Sequence, residues 1–325
     1  MELLYLFEKI RNPVLDFVFQ WITHLGDETA LIVIAITLFW CVSKRTGYYM
    51  LISGFFGLVI NQTLKLACKI PRPWVRDPDF TIVESAREAA SGYSFPSGHT
   101  SNAFSVFGAI FMSTKMKWLK ITAATLAVLV GISRMYLGVH TPWDVIAGAC
   151  CPIIVLLILE DVFKKDNLYE KLMPYIIGLI ALCSVAFYLY AAVFTEQTGE
   201  ANVVSAVKNA GTLVGCSVGL IVVYPIEKRF VKFETKSTWY GQAFKLVVGF
   251  AIILAIKSLL KSPLTSLLGE NLERPVRYFL LILFGALGWP ALFKYISRVK
   301  IAALDRFGEK VKKLFLKKKA QSEKA

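Results

Sequence analysis

The chain has 325 residues, of which 56% are hydrophobic and only 18% charged, and 37 Lys and Arg against 23 Asp and Glu give it a formal net charge of +14. With a mean hydropathy of +0.56 it is too apolar for a soluble two-domain protein and reads as a polytopic membrane protein. Most of the positive charge lies in loops and the C-terminal tail, so no nucleic-acid partner is needed to explain it.

Residues 2 to 25 hold two apolar runs broken by Lys9, Arg11, Asn12, Pro13 and Asp16. Each is too short to cross a bilayer, which predicts an amphipathic segment lying along the interface. The start shows no basic leader or small-residue cleavage site, so no removed signal peptide is expected. Seven uniformly apolar segments follow, about 28 to 44, 47 to 68, 97 to 114, 119 to 138, 142 to 162, 172 to 194 and 206 to 225, and two more at about 240 to 261 and 274 to 296. The eighth is bracketed by Lys245 and Lys257, whose ammonium groups are expected to snorkel outward. The expected fold is all-α, a membrane helix bundle of about nine transmembrane helices. It divides into an interfacial segment 1–27, a five-span core 28–165, a four-span C-terminal bundle 166–297 and a basic tail 298–325. In the tail Leu304, Phe307, Val311 and Leu314 recur at helical spacing among lysines, a pattern that suits either a helix on an anionic leaflet or a solvated tail.

If the spans alternate, Lys44-Arg45, Lys115 to Lys120, Lys164-Lys165 with Lys171, Lys228 to Lys236 and the tail from Arg298 share one face, which the positive-inside rule makes cytoplasmic. Residues 69 to 96, 139 to 141, Glu196 to Glu200 and Pro263 to Glu273 then face outward. An odd number of spans places the N-terminus outside and the C-terminus inside. The six cysteines (41, 68, 150, 151, 183 and 216) lie in or beside apolar segments without metal-site spacing and read as small core residues. Gly211, Gly215 and Gly219 make a flat ridge on one helix face, for close helix packing or a substrate groove.

Three short outward-facing segments carry chemistry: Lys65 with Arg72-Pro73, then Pro96-Ser97-Gly98-His99, then Ser133-Arg134 with His140 and Asp144. Lys65, Arg72 and Arg134 supply fixed positive charge, and Ser97-Gly98-His99 at a helix start would offer backbone N–H groups to an anion. Two of the three histidines lie here. Lys65 and Arg72 share a face if their helix continues toward Pro71. Thr141-Pro142-Trp143-Asp144 reads as a capped helix start, making Asp144 a capping carboxylate that can still reach His140. Standing alone, each Lys or Arg would be a snorkelling anchor and His99 a structural histidine; His24, Arg76 and Arg87 fit no motif and keep such roles.

The spacing (Lys, six residues, Arg-Pro; Pro-Ser-Gly-His; Ser-Arg, five residues, His, three residues, Asp) resembles the type 2 phosphatidic acid phosphatase superfamily at every defining position, with Gly92-Tyr93-Ser94-Phe95 and Tyr136 to Val139 as similar flanks. The likeness covers residues 60 to 150. It implies a phosphomonoesterase or diphosphatase that needs no metal or other cofactor and works through a phosphohistidine. His140 would be the nucleophile, with Asp144 accepting its other ring proton. His99 would be the general acid and then the base. Lys65, Arg72, Arg134 and the Ser97 and Gly98 amides would hold the phosphoryl oxygens.

A pocket at the membrane surface suits a lipid phosphate in the bilayer, and undecaprenyl diphosphate is the leading substrate, with phosphatidate, phosphatidylglycerophosphate and sphingoid phosphates behind it. The resemblance extends to vanadium haloperoxidases, which are soluble, and the extra spans leave open a lipid transporter or scaffold. Oligomeric state is not encoded in any pattern found.

Overall fold

A computed structural model describes residues 1–88, 90, 92–198 and 201–306, without the side chains of 194–198 and 201–202. The chain begins with α1 (Glu2–Lys9) and α2 (Pro13–Thr23), the latter started by Asn12, whose side chain accepts from the amides of Val14 and Leu15. Then come α3 (Glu28–Cys41) and α4 (Lys44–Cys68), the turn α5 (Pro73–Arg76), α6 (Gly98–Ser113), α7 (Lys117–Tyr136) and α8 (Pro142–Lys164). The C-terminal half comprises α9 (Asp166–Thr198), α10 (Ala201–Ile226), α11 (Trp239–Leu259), α12 (Lys261–Leu283) and the short α13 (Trp289–Ala291) and α14 (Phe293–Ile296). The described residues form a helical bundle with no strand.

A helix stands at every predicted span, but the count differs. Among the described residues seven helices are long and apolar enough to cross a membrane, and α2 with α3 qualifies only as a pair bent by 53°. The shortfall falls on α3, which has 14 residues, and on α6, whose 16 residues are likewise fewer than the ~20 a bilayer requires. Helix α6 is wrapped by α4, α7 and α8 and buries Ala103, Ser105, Val106 and Ala109, so it is sheltered by protein along its length. Residues 307–325, including Phe307, Val311 and Leu314 of the expected tail helix, lie outside the described residues, as do the side chains of Glu196 to Glu200.

The main core gathers Trp40, Tyr49, Phe107, Leu156, Phe163 and Phe293 from both halves of the chain. Tyr49 inside α4 donates to the Leu156 carbonyl of α8 at 2.6 Å, satisfying a hydroxyl that lipid could not. Lys44 and Arg45 pair with Glu227 and Asp166 at 2.5 and 2.7 Å, at the end of the bundle opposite Lys65. Lys245 departs from its expected outward reach: it is fully buried, hydrogen-bonds the carbonyls of Glu234 and Thr235 and sits 4.5 Å over the Phe293 ring. Its ammonium finds donors' partners in a neighbouring loop and has no need of water.

The N-terminal helices are more than an interfacial appendage. Tyr136 at the end of α7 donates to Asp16 at 2.7 Å and stacks on Phe19, and Arg11 reaches the Tyr136 carbonyl. The other face of α2 leaves Val14, Phe17 and Trp21 exposed, as a helix lying on a membrane should. The glycine ridge of α10 packs against α12: a Cβ at Gly215 would stand 2.1 Å from the Pro275 carbonyl oxygen. Gly215→Ala should therefore lower thermal stability in detergent by about 1–3 kcal/mol. Gly178→Ala, where a Cβ meets open space, should not. Equal melting of the two variants would show that the α10–α12 contact is not close.

Candidate active site

The three motifs converge at one end of the bundle, and the local folding of each differs in detail from the sequence expectation. Lys65 sits in the last turn of α4, which ends at Lys69 in a left-handed conformation (φ 47°). Lys65 and Arg72 thus do not share a helix face. Arg72 precedes α5 and is returned to the site by hydrogen bonds to the carbonyls of Gly92 and Val139, both 2.9 Å. Lys65 donates to the Tyr93 carbonyl at 2.5 Å.

Ser97 begins α6, its hydroxyl accepting from the amide and hydroxyl of Thr100. Its own amide is committed to the Asp144 carbonyl at 2.9 Å. This corrects the expectation that Ser97 offers an N–H to an anion: the first-turn donors left for that task are Gly98 and His99. Asn61 holds the preceding Pro96 carbonyl at 3.3 Å.

Thr141 starts α8 with the expected capping box, Asp144 being its third residue. The Asp144 Oδ2 accepts from the Thr141 amide at 2.7 Å and from the Ser94 hydroxyl at 2.6 Å. It lies 3.6 Å from His140 Nδ1, beyond hydrogen-bond range, so it faces that proton without holding it. Ser94 was missed because only its place in a loop, and no spacing rule, relates it to Asp144.

The other nitrogen of His140, Nε2, lies 2.9 Å from Arg72 Nη1. Since a guanidinium can only donate, Nε2 carries the lone pair and the ring proton sits on Nδ1, toward Asp144. Burial, and then the charges of Arg72, Arg134, Lys65 and His99, hold the His140 ring well below its ordinary pKa. Arg134 is 1% exposed and uses Nη1 on Thr23 at 2.7 Å, while its Nε and Nη2 have no hydrogen-bond partner among the described residues.

Thr23 ends α2, and sequence reasoning left it and the turn after it outside the site. The same turn brings Asp27 Oδ1 within 2.8 Å of His99 Nε2, and Asp27 Oδ2 within 2.8 Å of His24 Nδ1. Only their lying beyond the motif pattern hid them. Arg87, by contrast, pairs locally with Glu84 and lies over Trp74, and Arg76 is exposed.

A small cavity of about 70 Å³ adjoins Lys65, bordered by Gln62, Tyr93 and, from α10, Ser205 and Asn209. A larger groove of about 650 Å³ lies at the other end of the bundle, lined by Pro174, Gly178, Tyr224 and Lys228, and touches none of the motif residues.

Residues 45–168 match the PAP2 superfamily, and residues 207–300 match the PAP2 superfamily phosphatase transmembrane extension. Phosphatidylglycerophosphatase B of Bacillus subtilis is 33% identical over 50% of this chain and 82% of its own length. Undecaprenyl-diphosphatase BcrC of the same organism is 35% identical over 44% of this chain and 72% of its own. Mouse sphingosine-1-phosphate phosphatase 1 is 25% identical over 88% of this chain and 72% of its own. Fold and relatives together define the class, a multi-pass membrane hydrolase of phosphoric ester or diphosphate bonds. The chain belongs to the PAP2 superfamily, whose known lipid phosphatases it resembles.

The depressed His140 pKa means that the ring of the free enzyme stays neutral below pH 6.5 and gains a proton only in more acid solution. With three histidines in the chain, ¹⁵N-histidine spectra assigned by single substitutions should show His140 neutral at pH 6.5, protonated on Nδ1. A His140 midpoint at or above 6.5 would contradict this electrostatic picture.

Proposed function

We propose that the protein hydrolyses a lipid phosphate or diphosphate, without a metal, through a phosphohistidine on His140. The observation that carries this reading is Arg134, a buried guanidinium with two nitrogens unspent, beside Arg72 and a neutral imidazole whose lone pair points at Arg72. A buried guanidinium with unspent nitrogens, Arg134, is costly unless an anion joins it. A phosphoryl group supplies that anion, with oxygens for Lys65, Arg72, Arg134 and the Gly98 and His99 amides.

On binding, the Arg72 N–H turns from His140 Nε2 to a phosphoryl oxygen and frees the lone pair. Nε2 attacks phosphorus as the bond to the leaving oxygen breaks, and His99 gives that oxygen a proton. Asp144, opposite Nδ1, favours the positive charge that develops on the ring. Water then attacks phosphorus and surrenders a proton to His99, the P–N bond breaks, and phosphate leaves.

Undecaprenyl diphosphate is the proposed substrate, supported by the likeness to BcrC. A sphingoid phosphate is the second reading, because the mouse sphingosine-1-phosphate phosphatase aligns across both halves of the chain. Detergent-purified protein with EDTA should release phosphate from one of these lipids in a panel that includes phosphatidate and phosphatidylglycerophosphate, and vanadate should block it. His140→Ala should fold, lose turnover by several orders of magnitude and form no phosphohistidine. Inactivation by EDTA reversed by metal, or a His140→Ala rate near wild type, would refute the mechanism.

The active site is proposed to face away from the cytoplasm in the plasma membrane, with the C-terminus inside. Support comes from the placement of Lys44, Arg45, Lys164 and Lys228 at the opposite end of the bundle. With exposed Cys68 replaced, a cysteine at Glu84 should react with an impermeant thiol reagent in intact cells and one at Lys232 should not. The reverse pattern would turn the site inward.

A further inference from the structure

The end of α2 and the turn that leads into α3 are built onto the start of α6 at two points and onto the end of α7 at one. Thr23 accepts from Arg134, the Gly26 carbonyl accepts from Asn102 at 3.0 Å, and Asp27 stands against His99 at 2.8 Å. Gly26 permits the approach, since a Cβ there would lie 2.7 Å from the His99 carbonyl oxygen. Asp27 occupies the N-cap position of α3, where an aspartate ordinarily accepts from the first helical amides. Its side chain makes no capping bond. It faces two imidazoles instead, His99 on one oxygen and His24 on the other.

We infer that Asp27 is a positioning residue for His99, fixing which ring nitrogen handles the proton of the reaction. The inference rests on the reading of His99 as general acid. A carboxylate 2.8 Å from Nε2 favours a proton on that nitrogen in both charge states of the ring, so the proton given to the leaving oxygen comes from Nδ1. The first step takes a proton from Nδ1 to the leaving oxygen and leaves a neutral ring with Nε2–H still facing Asp27. In the second step Nδ1 takes a proton from the attacking water, and the charged ring is restored. The carboxylate also offsets part of what burial and the repulsion of Arg134 and Arg72 cost a charged His99. His24, on the outer oxygen, keeps Asp27 turned toward the site and away from the α3 amides.

The test compares Asp27→Asn, His99→Ala and the double variant on a lipid phosphate, whose alkoxide leaves poorly, and on nitrophenyl phosphate, whose phenolate leaves well. Asp27→Asn keeps the shape of the side chain, and thermal melting verifies that it folds; Asp27→Glu restores the charge. Loss of a general acid costs about 10²- to 10⁴-fold. Asp27→Asn should therefore slow the lipid substrate at least about tenfold more than the aryl one, Asp27→Glu should recover part of the difference, and adding Asp27→Asn to His99→Ala should cost nothing further. Equal losses of Asp27→Asn on both substrates, or losses that multiply in the double variant, would assign Asp27 a merely structural role and overturn the inference. If His99→Ala itself fails to discriminate, the acid is elsewhere and the inference falls with it. If His99→Ala discriminates and Asp27→Asn does not, only the Asp27 assignment falls.

Discussion

One residue ties the separate segments of the site together. The Asp144 carbonyl takes the Ser97 amide, and its carboxylate takes the Thr141 amide and the Ser94 hydroxyl. The start of α6, the start of α8 and the loop that returns Arg72 are thereby held on a single buried anchor, 1% exposed. Each bond involves a charged or backbone group removed from water, where an unmade hydrogen bond costs most. The geometry of the candidate site follows from helix caps, and so from the same bonds that fold the bundle.

Around this anchor the electrostatics are deliberately incomplete. Among the described residues, Asp144 offsets Lys65 and Arg72 and Asp27 offsets Arg134, while two nitrogens of Arg134 have no hydrogen-bond partner. A low-dielectric interior magnifies that surplus. It simultaneously depresses the basicity of His140, which is what leaves a lone pair available on Nε2. Cation surplus and neutral imidazole are thus two effects of one charge distribution.

How far the sequence could reveal this depended on whether a relation was local. The capping box of α8 and the helix start at Ser97 are contacts within four residues and were readable from residue type and spacing. The helices at 44–68, 117–136 and 142–164 were readable from apolar length. The shared helix face for Lys65 and Arg72 failed because Lys69 adopts a left-handed conformation that no local pattern announces. Ser94 on Asp144 and Asp27 on His99 bridge 50 and 72 positions, and Lys245 is covered by the Phe293 ring of α14. Such pairings arise from tertiary packing, to which periodicity and caps are blind.

Where α8 crosses the beginning of α6, Gly148 lies so close that a Cβ would stand 2.5 Å from the Ser97 carbonyl oxygen. A side chain there would push apart the two helix starts that the Asp144–Ser97 bond joins. This end of the candidate site is consequently fixed by the packing of two helices. The cavity beside Lys65 is bordered instead by side chains, Ser205 and Asn209 of α10 among them, that can change without moving a backbone. A fixed backbone at one end and replaceable side chains beside it let the lining of the pocket vary while the paired helix starts stay in place.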